Sequence, residues 1–115
     1  MSTVAEHAAA LAAALAGQGL RVAQRAADVA PPCVYVTVRG AASADVLLAG
    51  GDRGIFGVHW IPVRGTDDRP GLYDALHKIL AATYPLAVET VDLEEASVTV
   101  GDQSWPCWLG LVVMT

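Results

Sequence analysis

The sequence predicts an α+β domain in which two helices pack on one face of a mainly antiparallel sheet, in the order α-β-β-β-α-β-β-β. Three observations carry that prediction. An Ala-rich segment near the start repeats its larger apolar residues with a helical period. Pro31-Pro32 then hands the chain over to the β-branched run Cys33-Val34-Tyr35-Val36-Thr37-Val38. A second helical period after Pro70 is followed only by strand-like runs. The 115 residues form a single domain, 1–115, long enough for one core and too short for two.

Thr3 and Glu6 make a Thr-x-x-Glu capping box, so the first helix starts near Val4. Val4, Ala8, Leu11 and Leu15 form one stripe of a 3.6-residue period, and Gly17 and Gly19 stop it. The apolar groups on this stripe are small, which lets the helix lie close to a sheet. Residues 21–29 have no clean period and read as a link containing a short extended piece. Residues 33–38 are the first expected strand, ending at Arg39-Gly40, and residues 45–48 are a candidate second one. Gly50-Gly51-Asp52-Arg53-Gly54 is turn chemistry. Residues 55–63 read as the third strand, with Ile55, Gly57, His59 and Ile61 on one face and Phe56, Val58 and Trp60 on the other. Pro62 suits its end.

Thr66-Asp67-Asp68 supplies caps for the second helix, with Pro70 in its first turn, where a missing N–H costs little. Leu72, Leu76, Ile79, Leu80 and Thr83 mark its packed face, and Tyr84-Pro85 its end. Asp74 and Lys78 form an i,i+4 pair worth about 0.2–0.5 kcal/mol. Strands are then expected at 86–93, 96–100 and 105–114, the last two joined as a hairpin by Gly101-Asp102-Gln103-Ser104.

Composition limits the function classes. Hydrophobic residues make up 54% of the chain, which is high for this length, yet no run reaches the roughly 18 uncharged apolar residues of a membrane span. The first six residues lack the basic start of a secretory signal. The surplus apolar surface is therefore expected in subunit contacts and not in lipid. The net charge is −5, and Arg21, Arg25, Arg39, Arg53, Arg64 and Arg69 form no basic run, which argues against a surface that grips nucleic acid. Two cysteines without a targeting signal fit reduced thiols in a cytoplasmic setting.

No residue set spells out a reaction. Cys33 and Cys107 start expected strands and are candidates for neighbours across the sheet; buried free thiols are the expected state. His7, His59 and His77 have no metal-ligand spacing among themselves or with the cysteines, so satisfied core or surface histidines are expected and no metal. The glycine-rich turn at 50–54 lacks the Lys-Ser/Thr ending of a phosphate loop. Asp67-Asp68 reads as capping and Glu94-Glu95 as solvated turn charge; neither has the apolar surroundings that raise a carboxylate for acid catalysis. Neither catalytic residues nor a cofactor site are expected. Trp60, Trp105 and Trp108 are the clearest candidates for a binding surface, with core packing as the plainer reading of each. On one regular strand Trp105 and Trp108 point to opposite faces, so one can be core while the other meets a neighbour.

With its elements in order, the chain resembles the tail terminator (tail completion) proteins of long-tailed bacteriophages, especially those of actinobacterial hosts. The resemblance covers most of the chain. It rests on the opening Ala-Ala-Leu-Ala-Ala-Ala-Leu-Ala-Gly helix, the Pro-Pro-Cys-Val entry into the first strand and the aromatic strand Val58-His59-Trp60-Ile61-Pro62-Val63. It continues through Gly71-Leu72-Tyr73-Asp74-Ala75-Leu76 and a closing pair of strands. The resemblance implies a homo-oligomeric ring, usually of six copies. That ring caps the tail tube, ends its polymerisation and joins the tail to the head-side connector. Its implied partners are copies of itself, the major tail tube protein and a head-closure or connector protein. The resemblance also implies that DNA passes through the lumen without specific binding, at the tail–neck junction of a virion built in the host cytoplasm. The expected interface residues are Trp60, Trp105 and Trp108 with the charged turn residues Asp52, Arg53, Arg64, Asp67 and Asp68, the turns at 50–54 and 65–68 making the axial contacts. Two alternatives stand beside this reading: a head-closure or neck connector, and a small enzyme or ligand-binding domain that uses the Cys/His set.

Overall fold

Thr3 caps the first helix as its sequence dictates, its hydroxyl accepting the Glu6 backbone N–H at 3.2 Å, in a computed structural model that describes residues 3–42, 52–65, 68–90 and 93–115. That helix, α1 (Val4–Gly17), ends where Gly19 takes φ +82°, a conformation that glycine adopts without strain. A two-residue strand β1 (Val22–Ala23) and a 3₁₀ turn (Ala26–Asp28) follow, and the chain reaches β2 (Cys33–Ala42) through a cis Pro31–Pro32 bond. Next come β3 (Arg53–Ile61), α2 (Arg69–Thr83), β4 (Glu89–Thr90), β5 (Glu94–Val100) and β6 (Gln103–Met114). Among the described residues they build a six-stranded sheet in the order β1-β2-β3-β6, with β4 and β5 both against the far side of β6. Of the described strand pairs, only β1–β2 is parallel.

Side-chain alternation sorts the sheet into two unlike faces. Val34 and Val36 of β2, Phe56 and Val58 of β3, and Val112 and Met114 of β6 meet Leu11 and Leu15 of α1 and Ile79 and Ala82 of α2 in the main core. Both helices therefore lie on one face, as the pattern predicts. The opposite face carries a smaller cluster of Cys33, Ile61 and Cys107, flanked by Tyr35, Val98 and Trp105. No described helix covers it. At its centre Gly57 is a spatial necessity: a Cβ there would lie 2.8 Å from Thr37 Oγ1 and 2.9 Å from His59 Cε1.

The order of element types stands, with corrections to which residues supply them. The first of the three early strands is Val22–Ala23, while the strand expected at 45–48 lies outside the described residues, as do Gly50, Gly51, Thr66 and Asp67. The expected first strand does not stop at Arg39-Gly40; it continues to Ala42, because a bulge between Val38 and Gly40 lets β3 keep pairing from Ile55 back to Arg53. For the same reason β3 begins at Arg53, and it ends at Ile61, just before Pro62. Of the strand expected at 86–93, Glu89–Thr90 pair while Val91 and Asp92 lie outside the described residues, and Glu94-Glu95 open β5 instead of sitting in a turn. The hairpin turn is only Gly101-Asp102, with Gly101 at φ +64° in the first central position that a type II′ turn reserves for glycine.

The buried face of α2 is rotated from expectation. Ala75, Ile79, Ala82 and Thr83 are buried, while Leu80 is 49% exposed and Leu72 and Leu76 are half-buried. The alanines let α2 approach α1 and the sheet closely, and a leucine stripe would hold it off. Thr83 satisfies its hydroxyl on the Ile79 carbonyl at 2.9 Å, so this polar residue sits in the core without an unmet hydrogen bond.

Candidate functional site: an aromatic cleft and two open sheet edges

The hairpin register brings two of the three tryptophans together. Trp60 of β3 pairs directly with Trp108 of β6, and Trp108 pairs on its other side with Glu95 of β5. The three side chains thus stand in a row on the helix-bearing face, past the point where α2 covers it. The start of α2 closes the other side and leaves a cleft of about 490 Å³, walled by Pro32, Trp60, Pro62, Leu72 and Trp108. Asp68, Arg69 and Glu95 supply its charged groups. Asp68 is the N-cap of α2, accepting the Gly71 N–H at 3.0 Å, and Gly71 allows the approach because any Cβ there would collide with that carboxylate. Trp60 Nε1 is covered and has no hydrogen-bond partner.

Trp105 points to the opposite face, as alternation requires. The Arg64 guanidinium lies 4.4 Å from its ring centroid, and Nη2 donates to the Ser104 carbonyl at 2.7 Å. These contacts strap the loop after β3 to the hairpin, whose outer half extends beyond the last β3 pair, Trp60–Trp108. Asp52 and Arg53 belong elsewhere: Arg53 starts β3, about 23 Å from Trp60 along the strand, and Asp52 precedes it. There the His7 Nε2–H donates to the Asp52 carbonyl at 2.8 Å and ties α1 to the sheet. The expected interface residues therefore split between the two ends of β3 and do not form one patch. Asp67 is outside the described residues.

The second feature of the site is the sheet's edges. The two-residue turn makes Val100–Gln103 a hydrogen-bonded pair, so Val98 and Ala96 bond to β6 while Glu95, Ser97 and Thr99 turn their N–H and C=O groups outward. On the far side of the sheet, β1 reaches only Val34 and Tyr35, and no described strand covers the rest of β2. Val38 there is 57% exposed. Such edges invite pairing with another chain.

The cysteines are free and buried, but they are not neighbours in the ladder. Cys33 pairs with Ile61, and Cys107 lies one residue before Trp108, the partner of Trp60, so Ile61 stands between the two thiols. Two strand spacings are about 10 Å, beyond the roughly 7 Å Cα limit for a disulfide. Burial pushes both thiols above their ordinary range, which depletes the reactive thiolate. Native protein should leave a thiol reagent such as DTNB unreacted, with both cysteines labelled only in denaturant. Rapid labelling of either one in the native state would contradict this packing.

His59 is buried on the sheet face opposite the helices. Its Nδ1–H donates to the Tyr35 carbonyl at 3.0 Å, with the Tyr35 ring 5.8 Å away. Burial, with the nearby Arg39 charge adding to it, pushes the imidazole below its ordinary 6.5, against the opposing pull of the Tyr35 carbonyl. A base with a lowered native pKa binds fewer protons folded than unfolded, so stability rises with pH across the window. The contribution is full above pH 6.5 and is lost as pH falls from there toward the lower native value. Chemical denaturation of wild type should show this slope, and His59→Gln should flatten it. Among the described residues, no group of three His, Cys, Asp or Glu side chains is placed to hold a metal ion, and no helix is long and apolar enough to cross a membrane. No protein-family model matches the chain, and no curated protein matches it.

Proposed function

We propose that this protein is a ring-forming structural component of a virion, the tail terminator of a long-tailed bacteriophage. The observation that carries the ring is the pair of unlike edges on opposite sides of one sheet, neither covered along its length by another described strand. β5 runs antiparallel to β6, and β6 runs in the same direction as β2, because both are antiparallel to β3. Extending the sheet from one copy to the next therefore sets β5 antiparallel to the following copy's β2. That contact joins different surfaces of identical chains, the heterologous arrangement that closes into a ring when each step includes the right rotation. The half-exposed apolar face opposite the helices gives such an assembly further surface to bury.

The placement at a tail end rests on the sequence resemblance: the Pro-Pro-Cys-Val entry, the aromatic β3 and the Gly-Leu-Tyr-Asp-Ala-Leu start of α2. In this reading the ring sits on the last ring of the tail tube, stops its growth and faces the head-side connector, while DNA passes through without specific contacts. No residue acts as a catalyst and no cofactor takes part. Native mass spectrometry should give a species near six times 11.9 kDa, either alone or on addition of tail tubes. Cryo-EM of tubes with the protein should show a cap at one end. Rings absent both in solution and on tubes would sink the proposal, and density on the connector side alone would favour a neck protein.

A further inference from the structure

We infer that the cleft beside Trp60 and Trp108 is a binding site for a cationic side chain of a partner protein, an arginine guanidinium. The inference does not depend on the ring or on the tail. Trp60, Trp108 and Glu95 occupy matched positions on three adjacent strands, spaced about 4.8 Å apart. Two indoles therefore stand beside a carboxylate, in a cleft of about 490 Å³ that suits a long side chain and its flanking backbone. Because Trp60 Nε1 is already covered, its ring surface, and not its N–H, is what an occupant meets. A cation is attracted to such surfaces, and a guanidinium adds a planar fork that stacks on indole and bonds a carboxylate in parallel. The molecule makes the same kind of contact itself on the opposite face of the hairpin, where Arg64 stacks over Trp105.

The charges choose among occupants. A helix N-terminus ordinarily attracts anions, but at the start of α2 the Asp68 carboxylate already fills that role. Glu95 adds a second negative charge, and Arg69, the one cation among the described residues of the wall, already has an interaction of its own. A purely apolar side chain would bury Glu95 without compensation. The guanidinium answers both the aromatic wall and the carboxylate.

The test is a titration of the whole protein, following the tryptophan indole N–H signals by NMR. The probes are N-acetyl-arginine methylamide, N-acetyl-norleucine methylamide and N-acetyl-glutamate methylamide. The arginine probe should shift the Trp60 and Trp108 signals saturably and leave Trp105, on the opposite face, unmoved. Glu95→Gln, an exposed position where folding is checked by an unchanged melting curve, should weaken that binding by about tenfold. Trp108→Phe should weaken it while keeping an aromatic wall. Equal binding of the norleucine probe, preference for the glutamate probe, no saturable shift with any probe, or a Glu95→Gln variant that binds like wild type would each overturn the inference.

Discussion

Proline at position 97 should abolish assembly and leave the folded protomer in place. Ser97 lies opposite Pro106 in a pair whose backbone groups do not bond across the hairpin, so its N–H points to the open side of β5. Ser97→Pro removes that one outward donor and projects a ring from the edge, while the Ala96–Cys107 and Val98–Trp105 pairs on either side keep their bonds to β6. The cost to the isolated chain is about 1 kcal/mol, the span of strand propensities. The cost to assembly is larger because it recurs at every interface. Each junction loses a hydrogen bond worth about 0.5–1.5 kcal/mol and gains a steric block at the contact. Sedimentation velocity should show the variant as a monomer at concentrations where wild type assembles, with circular dichroism unchanged. Ser97→Ala keeps the backbone donor and should assemble normally. A proline variant that assembles like wild type would remove β5 from the interface, and the ring would then need another contact.

Much of this architecture can be read directly from the residues, and the misreadings have local physical causes. The α1 boundaries follow from Thr3, Glu6 and Gly19 because capping is a local interaction. The facing of β3 follows from alternation for the same reason. The buried face of α2 was not legible, since Ala75 and Ala82 carry weak hydrophobic signals and are buried because another helix and the sheet need room there. Residues 86–93 look like a strand by composition, yet among the described ones only Glu89 and Thr90 pair as a strand, with the Val88 N–H donating to the Val113 carbonyl beside them, and pairing depends on where β6 runs. The cleft was half visible. Its tryptophans stand out as candidates, whereas Glu95 falls between the strands expected at 86–93 and 96–100, and a four-residue turn at 101–104 sets Val100 against Trp105. Taking Gly101-Asp102 alone as a two-residue turn sets Val100 against Gln103 and, counting along both strands, Glu95 against Trp108. The Arg64–Trp105 contact has no such signal. It depends on how the loop after β3 meets the hairpin, which only the fold decides.

Phe56→Ala should cost the fold about 3–5 kcal/mol, and Gly54→Ala should lose most of its own penalty in the same background. Phe56 is fully buried at the centre of the main core, among side chains from both helices and from β2 and β6. Removing its ring withdraws apolar contacts and leaves a cavity that rigid neighbours on two layers cannot fill. Against a total stability of about 5–15 kcal/mol for a domain, that is a loss of roughly a fifth or more. Gly54, two residues earlier on the same face, sits under the ring: a Cβ there would lie 2.7 Å from Phe56 Cε2 and 2.8 Å from Cζ. The ring cannot swing away, because it is enclosed, so Gly54→Ala alone should destabilise by about 1–3 kcal/mol through overpacking. With Phe56 already replaced, the clash has no second party, and the added methyl occupies part of the vacated space. The double variant should therefore be more stable than the sum of the single losses predicts, by about 1–3 kcal/mol in a urea-denaturation cycle. Simple additivity would mean that the Gly54 penalty comes from the strand backbone and not from the ring above it.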